Sequence, residues 1–159
     1  MTQSAEQHVV ASEVDRPRWL RPMLILLGLP NVLTGVWAIG DPQGWYDNFP
    51  GWSPRLVAAL PPFNEHLATD AGAGLLATGL LALLAAWQPR RDVVVTAMVG
   101  YLAFALPHAA YHLANPAEAL SAGEDMTNVI SLWLAVVAAG AALFAGLKTP
   151  HFLLSSTSD

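Results

Sequence analysis

Long apolar runs separated by short polar stretches dominate the pattern of this chain. The runs extend over residues 19–40, 67–87, 93–113 and 126–147. Each has about 21 residues, and a helix of that length spans roughly the 30 Å of a bilayer's hydrocarbon core. The pattern therefore predicts four transmembrane helices, and the expected fold class is an all-α, membrane-embedded four-helix bundle.

The segments outside these runs define the predicted domain organisation. We expect residues 16–148 to form one four-helix domain, residues 1–15 to be a polar, disordered cytoplasmic tail, and residues 149–159 to be a second cytoplasmic tail. The longest connection, residues 41–65, is rich in aromatic residues and proline. It fits an anchor in the outer membrane interface or a lid over a site between the helices. Ser53 and Pro54 resemble an N-cap and N1 pair, which predicts a short helix over residues 54–60.

Composition narrows the class of protein further. Only 12% of residues are charged, whereas soluble domains average about 25%. A soluble helical bundle is the alternative, but its helices would carry charged outer faces.

The net charge of −5, without a basic cluster, argues against nucleic acid as a partner, and the lipid bilayer is the expected partner. The chain has no cysteine, which excludes disulfides, thiol redox chemistry and iron–sulfur ligation.

Basic residues give the predicted orientation. They precede the first run, separate the second from the third, and follow the fourth: Arg16, Arg18, Arg21, Arg90, Arg91 and Lys148. The other two connections are acidic, with Arg55 as their only cation. Because cytoplasmic loops carry the excess of lysine and arginine, we expect a multi-pass protein of the cell membrane with both termini in the cytoplasm.

With this orientation, polar residues from all four helices fall in the outer half of the bundle. The candidate ligand-binding or polar-network residues are Asn31, Glu65, His66, Asp70, Tyr101, His108, His112 and Asn128. Residues four apart share a helix face, so His66 faces the same way as Asp70, and His108 the same way as His112. Ionisable residues within transmembrane segments are costly and indicate function by default.

This pattern permits more than one chemistry. His108 and His112 could hold a divalent transition metal (iron, zinc or copper), with His66 and Asp70 completing a tetrahedral site. Glu65 could then be a fifth ligand, an orienting residue or a general base. Because no HExxH motif is present, a metal-binding protein or metalloenzyme is the alternative hypothesis and not the preferred one.

The preferred hypothesis is a binding protein. The polar residues would hydrogen-bond to one another across helices and orient a small apolar or amphiphilic ligand that enters from the outer leaflet. A proton-coupled role for the histidines and a structural subunit of a homodimer or larger membrane complex also remain open. No residue is assigned as catalytic, and an enzyme is not the favoured interpretation.

The second run has a recognisable form. Asn64 to Trp87 reads NEHLATDAGAGLLATGLLALLAAW, a polar entry followed by a glycine-spaced helix. In this stretch and in its four-helix layout, over about residues 19–147, the chain resembles the DoxX-like group of small bacterial membrane proteins. The resemblance implies a four-helix integral membrane fold. Some members of that group are linked to membrane redox complexes, and the absence of cysteine removes any thiol version of that chemistry here.

Overall fold

The computed structural model describes residues 17–148. Within this range the chain forms five α-helices and no strand: α1 Leu20–Gly40, α2 Pro42–Asn48, α3 Glu65–Trp87, α4 Arg91–Ala114 and α5 Ala122–Lys148. The four long helices are each long and apolar enough to cross a membrane. The predicted all-α fold is thus confirmed, and its four long apolar helices are candidate membrane spans. The two predicted tails lie outside the described residues.

Two helices begin earlier than predicted because polar residues cap them. The side chain of Asn64 accepts a hydrogen bond from the backbone N–H of Leu67 at 3.1 Å, so α3 already begins at Glu65. At α5, Ser121 and Glu124 form a capping box, in which the backbone N–H of Ser121 donates to Oε2 of Glu124 at 2.9 Å and the backbone N–H of Glu124 lies 3.4 Å from Oγ of Ser121. Each side chain satisfies a backbone donor that the helix itself leaves open.

The four long helices form an antiparallel ring. Helix α1 packs against α3, α3 against α4, α4 against α5, and α5 against α1. We call the end where α1 and α4 begin the termini end, and the end where α3 and α5 begin the loop end.

Glycines bring α1 and α3 into backbone contact. Gly28 faces Gly79 and Gly35 faces Gly72, so that a Cβ added at Gly35 would lie 2.5 Å from the backbone nitrogen of Leu76. The two contacts are separated by seven residues on each helix, which is about two turns. Small residues at this spacing allow the close approach of two helices that membrane proteins commonly use.

The main buried core lies toward the termini end and joins all four long helices. Its largest fully buried side chains are Leu20, Leu24, Val94 and Met98. Nearby, Nε of Arg21 donates to the backbone carbonyl of Ala86 at 3.0 Å, satisfying an acceptor in the last turn of α3 that the helix leaves unpaired. Arg21 thereby ties the beginning of α1 to the end of α3.

The outward faces of the helices are strongly apolar. Leu26, Leu33, Leu134 and Val137 are each more than 60% exposed. Water-soluble monomers rarely present continuous apolar surfaces of this kind. The exposed surface therefore favours a membrane-embedded bundle over the soluble bundle considered as the alternative.

The connection between α1 and α3 differs from its prediction. The helix expected over residues 54–60 is absent, and only one turn forms there, in which the backbone N–H of Ala59 donates to the carbonyl of Arg55 at 3.2 Å. Pro61 and Pro62 lack the N–H donors that would extend this turn into a helix. The cap and proline pattern that does start a helix is Asp41–Pro42, since the side chain of Asp41 accepts from the backbone N–H of Gly44.

Candidate functional site

A cleft of about 460 Å³ opens at the loop end, between the segment that follows α2 and the first turns of α5. We call it the cleft. The segment after α2 supplies an aromatic and proline-rich wall, consisting of Phe49, Pro50, Trp52, Pro54 and Leu56. Helix α5 supplies the opposite wall, consisting of Gly123, Glu124, Thr127, Asn128, Ser131 and Leu132.

Three features hold the aromatic wall in place. Trp45 of α2 is 7% exposed and packs with Ala38 of α1 and Ala68 of α3. The backbone N–H of Leu56 donates to the carbonyl of Phe49 at 2.9 Å, which closes residues 49–56 into a compact loop. The guanidinium of Arg55 donates to Oδ1 of Asn48 and to the carbonyl of Asp47, tying this loop back to α2. The wall is therefore attached to α1 and α3 through α2.

The wall on α5 is a polar stripe. Glu124, Thr127, Asn128 and Ser131 recur at positions i, i+3, i+4 and i+7, which lie on one face of a helix. The hydroxyl of Thr127 donates to the carbonyl of Gly123, and that of Ser131 donates to the carbonyl of Asn128, each at 2.7 Å. Both hydroxyl protons are used within the helix, so what these two hydroxyl groups can still offer a ligand is an acceptor oxygen.

A row of rings on α4 leads away from the cleft. Nδ2 of Asn128 lies 3.5 Å from Nδ1 of His112, which joins the cleft wall to α4. The ring centroids of His112 and His108 are 4.8 Å apart, and His108 stacks on Phe104 at 5.8 Å. His112 is half-buried and His108 is exposed. Of the predicted residues, Asn128, His112 and His108 are thus connected to one another and to the cleft.

His66 and Asp70 form a separate pair on α3. Nε2 of His66 lies 3.4 Å from Oδ2 of Asp70, and the side chains are 82% and 62% exposed. Gly74 contacts Phe104, so Asp70 and His108 each lie about one turn beyond that contact toward the loop end. Within residues 17–148, however, no hydrogen bond or ion pair joins the two histidine pairs.

The proposed metal ligands do not come together. No group of three or more histidine, aspartate or glutamate side chains in the described part of the chain could hold a metal ion. The set of His66, Asp70, His108 and His112 therefore forms no coordination site in this arrangement. Glu65, offered as a fifth ligand, is exposed at the start of α3.

The remaining candidates form a third group at mid-height in the bundle. Nδ2 of Asn31 donates to Oγ1 of Thr78 at 3.2 Å, and that hydroxyl lies within hydrogen-bonding distance of two carbonyls of its own helix, those of Gly74 and Leu75. Asn31 also interacts with the hydroxyl of Tyr101, which is buried. The eight predicted residues therefore occupy three places in the bundle, whereas the sequence predicted one shared site.

Sequence reasoning missed most residues of the cleft. Trp52, Glu124, Thr127 and Ser131 line it but were not among the candidates. The helical spacing of the polar residues at the start of α5 was the signal that could have identified them.

Comparisons with protein-family models, with curated proteins and with solved structures find no match to this chain. The DoxX-like resemblance stays a prediction.

Proposed function

We propose that this protein is a multi-pass protein of the cell membrane, with both termini in the cytoplasm, that binds a small apolar or amphiphilic molecule in the cleft. The charge distribution of the bundle supports this orientation. Basic residues lie at the termini end, and they are Arg18, Arg21, Arg90, Arg91 and Lys148. The loop end carries Arg55 as the only cation among residues 41–65 and 115–125. By the positive-inside rule the loop end then faces outward.

The cleft is the observation that carries the proposal. Its volume of about 460 Å³ lies in the range of small-molecule sites. One wall is aromatic and aliphatic and the other carries hydroxyl, amide and carboxylate groups, which matches a molecule with an apolar body and a polar head. Trp52 is 68% exposed at the loop end, and indole rings favour the interface between membrane and water. A ligand could therefore enter the cleft from the outer leaflet.

The hydrogen-bonded side chains behind the polar wall would give the ligand's polar head a second layer of contacts. Asn128 lines the cleft and reaches His112, so a ligand that hydrogen-bonds to this amide would also affect the imidazole behind it. Networks of this kind hold the first contact in one orientation. Metal binding has no comparable support, because its proposed ligands remain apart.

Bromine quenching of tryptophan fluorescence tests the proposal. The protein is placed in phosphatidylcholine nanodiscs and titrated with 11-bromoundecanol, whose bromine quenches nearby indole rings such as Trp52. We expect a saturable component above the linear quenching caused by partitioning into lipid. Trp52→Phe should reduce the amplitude of that component.

A cleft-filling variant and a matched surface variant complete the test. Ser131→Phe places a ring into the cleft and should abolish saturable quenching. Leu134→Phe adds a ring on the exposed face of the same helix and should leave quenching unchanged. Saturable quenching that persists in Ser131→Phe, or that is absent from the wild type, would reject binding in the cleft.

A further inference from the structure

We propose that the ligand of the cleft is an amphiphilic cation, such as a lipophilic amine or quaternary ammonium compound. This inference rests on the proposed function and deepens it by assigning the charge of the ligand's head. It is carried by the juxtaposition, in one cleft, of the carboxylate of Glu124 with the aromatic rings of Trp52 and Phe49.

The carboxylate of Glu124 has one oxygen available. The capping box uses Oε2, which accepts from the backbone N–H of Ser121 at 2.9 Å and from its hydroxyl at 2.7 Å. In the described part of the chain, Oε1 accepts no hydrogen bond. The capping box fixes the position of the side chain, so Oε1 can receive a cationic head without the entropic cost of ordering a free side chain.

The aromatic wall suits the same head. Trp52 and Phe49 lie across the cleft from the polar stripe, and an ammonium group is attracted to the face of an indole or phenyl ring. Aromatic side chains are the groups with which proteins commonly recognise quaternary ammonium ligands, and the carboxylate of Glu124 adds an opposite charge to the same cleft. The oxygens of Thr127 and Ser131 would accept hydrogen bonds from a primary or secondary amine.

The electrostatic field at the loop end favours a cation as well. Seven carboxylates lie in the helix ends and connections there, and they are Asp41, Asp47, Glu65, Asp70, Glu118, Glu124 and Asp125. The single cation, Arg55, donates to α2. A surface of one sign concentrates ligands of the opposite sign. The N-terminus of α5 would by itself attract an anionic ligand. The carboxylates of Glu124 and Asp125, however, already lie in the first turn of this helix.

Three probes with one tail test the charge preference. Saturable quenching of the wild-type protein by 11-bromoundecanol in phosphatidylcholine nanodiscs is displaced with unbrominated undecyl trimethylammonium, undecanol and undecyl sulfate, so that the affinity of each head group is read from competition. We expect the cation to bind about tenfold more tightly than the alcohol, because it gains both an ion pair and ring contacts. The sulfate should bind more weakly than the alcohol. This comparison requires no variant, so a folding defect cannot obscure it.

Two carboxamide variants then locate the preference. Glu124→Gln keeps an acceptor for the capping box but removes the charge, and it should bring the cation to within about twofold of the alcohol. Glu118→Gln removes one charge from the same end of the bundle, outside the cleft, and should retain the tenfold preference.

The outcomes separate the two proposals. Equal affinity of the wild type for cation and alcohol, or equal effects of the two variants, would overturn the inference while leaving binding in the cleft intact. Absence of saturable quenching by 11-bromoundecanol itself would instead reject the proposed function.

Discussion

The contact between α1 and α3 predicts that a single methyl group at Gly35 destabilises the bundle. A Cβ at this position would lie 2.5 Å from the nitrogen and 2.9 Å from the Cα of Leu76, and 2.7 Å from the carbonyl oxygen of Gly72. All three atoms belong to the backbone of α3, so no side chain can rotate away. Gly35→Ala therefore requires the two helices to move apart.

The size of the effect follows from these distances. Ordinary contact begins at about 3.4 Å, so the helices must separate by about 1 Å, which forfeits a quarter to a half of the attraction between the atoms involved. Overpacking of this kind costs about 1–3 kcal/mol. Alanine also gains about 1 kcal/mol over glycine in helix propensity. Gly140 provides the control, because a Cβ there meets nothing within 4 Å and Gly140→Ala carries the propensity gain alone.

Unfolding in mixed micelles measures the difference. Protein in dodecyl maltoside is titrated with sodium dodecyl sulfate while tryptophan fluorescence is followed. Subtracting the free-energy change of Gly140→Ala from that of Gly35→Ala cancels propensity and should leave a loss of about 1–3 kcal/mol. If both variants were stabilised equally, the close approach of α1 and α3 would not be the feature that holds this pair together.

Three further predictions use the same titration. Asn31→Ala and Thr78→Val should show a coupling of about 0.6 kcal/mol in a double-mutant cycle, because the two side chains share a hydrogen bond; strictly additive losses would contradict it. Glu124→Ala should lower the unfolding midpoint more than Glu124→Gln, because only glutamine can rebuild the capping box; identical midpoints would remove that role. His66→Ala and Asp70→Ala should leave the midpoint unchanged, because this pair is exposed and such pairs contribute little; a clear loss from either would assign the pair to the fold.

The sequence predicted the four long helices because their signal is local. Each apolar run is long enough to span a bilayer, and this requirement depends on no other part of the chain. The helix ends moved by a few residues where a cap decided them, as at Asn64 and Ser121. These caps are also local, and the Ser121–Glu124 spacing is a known signature of a helix start. The pairing of Gly28 with Gly79 could not be predicted, because it depends on how two separate helices align.

The candidate site was harder to predict because it depends on rotation of the helices about their axes. Placing His66, Asp70, His108 and His112 at one level of the membrane did not determine whether they face each other. In the structure Asp70 pairs along its own helix, while His112 turns toward Asn128 on α5. Spacing within a helix fixes which residues share a face, but packing between helices fixes where that face points.

The division of the bundle into two ends explains why a binding site would lie where the cleft does. At the termini end one buried cluster joins all four long helices. At the loop end the buried cluster around Trp45 joins only α1, α2 and α3. The aromatic wall of the cleft is attached to this second cluster, whereas its polar wall belongs to α5, which packs mainly on α4. In the described part of the chain, neither buried cluster joins the two walls of the cleft, so their spacing can adjust to a ligand while the core at the termini end keeps the bundle intact.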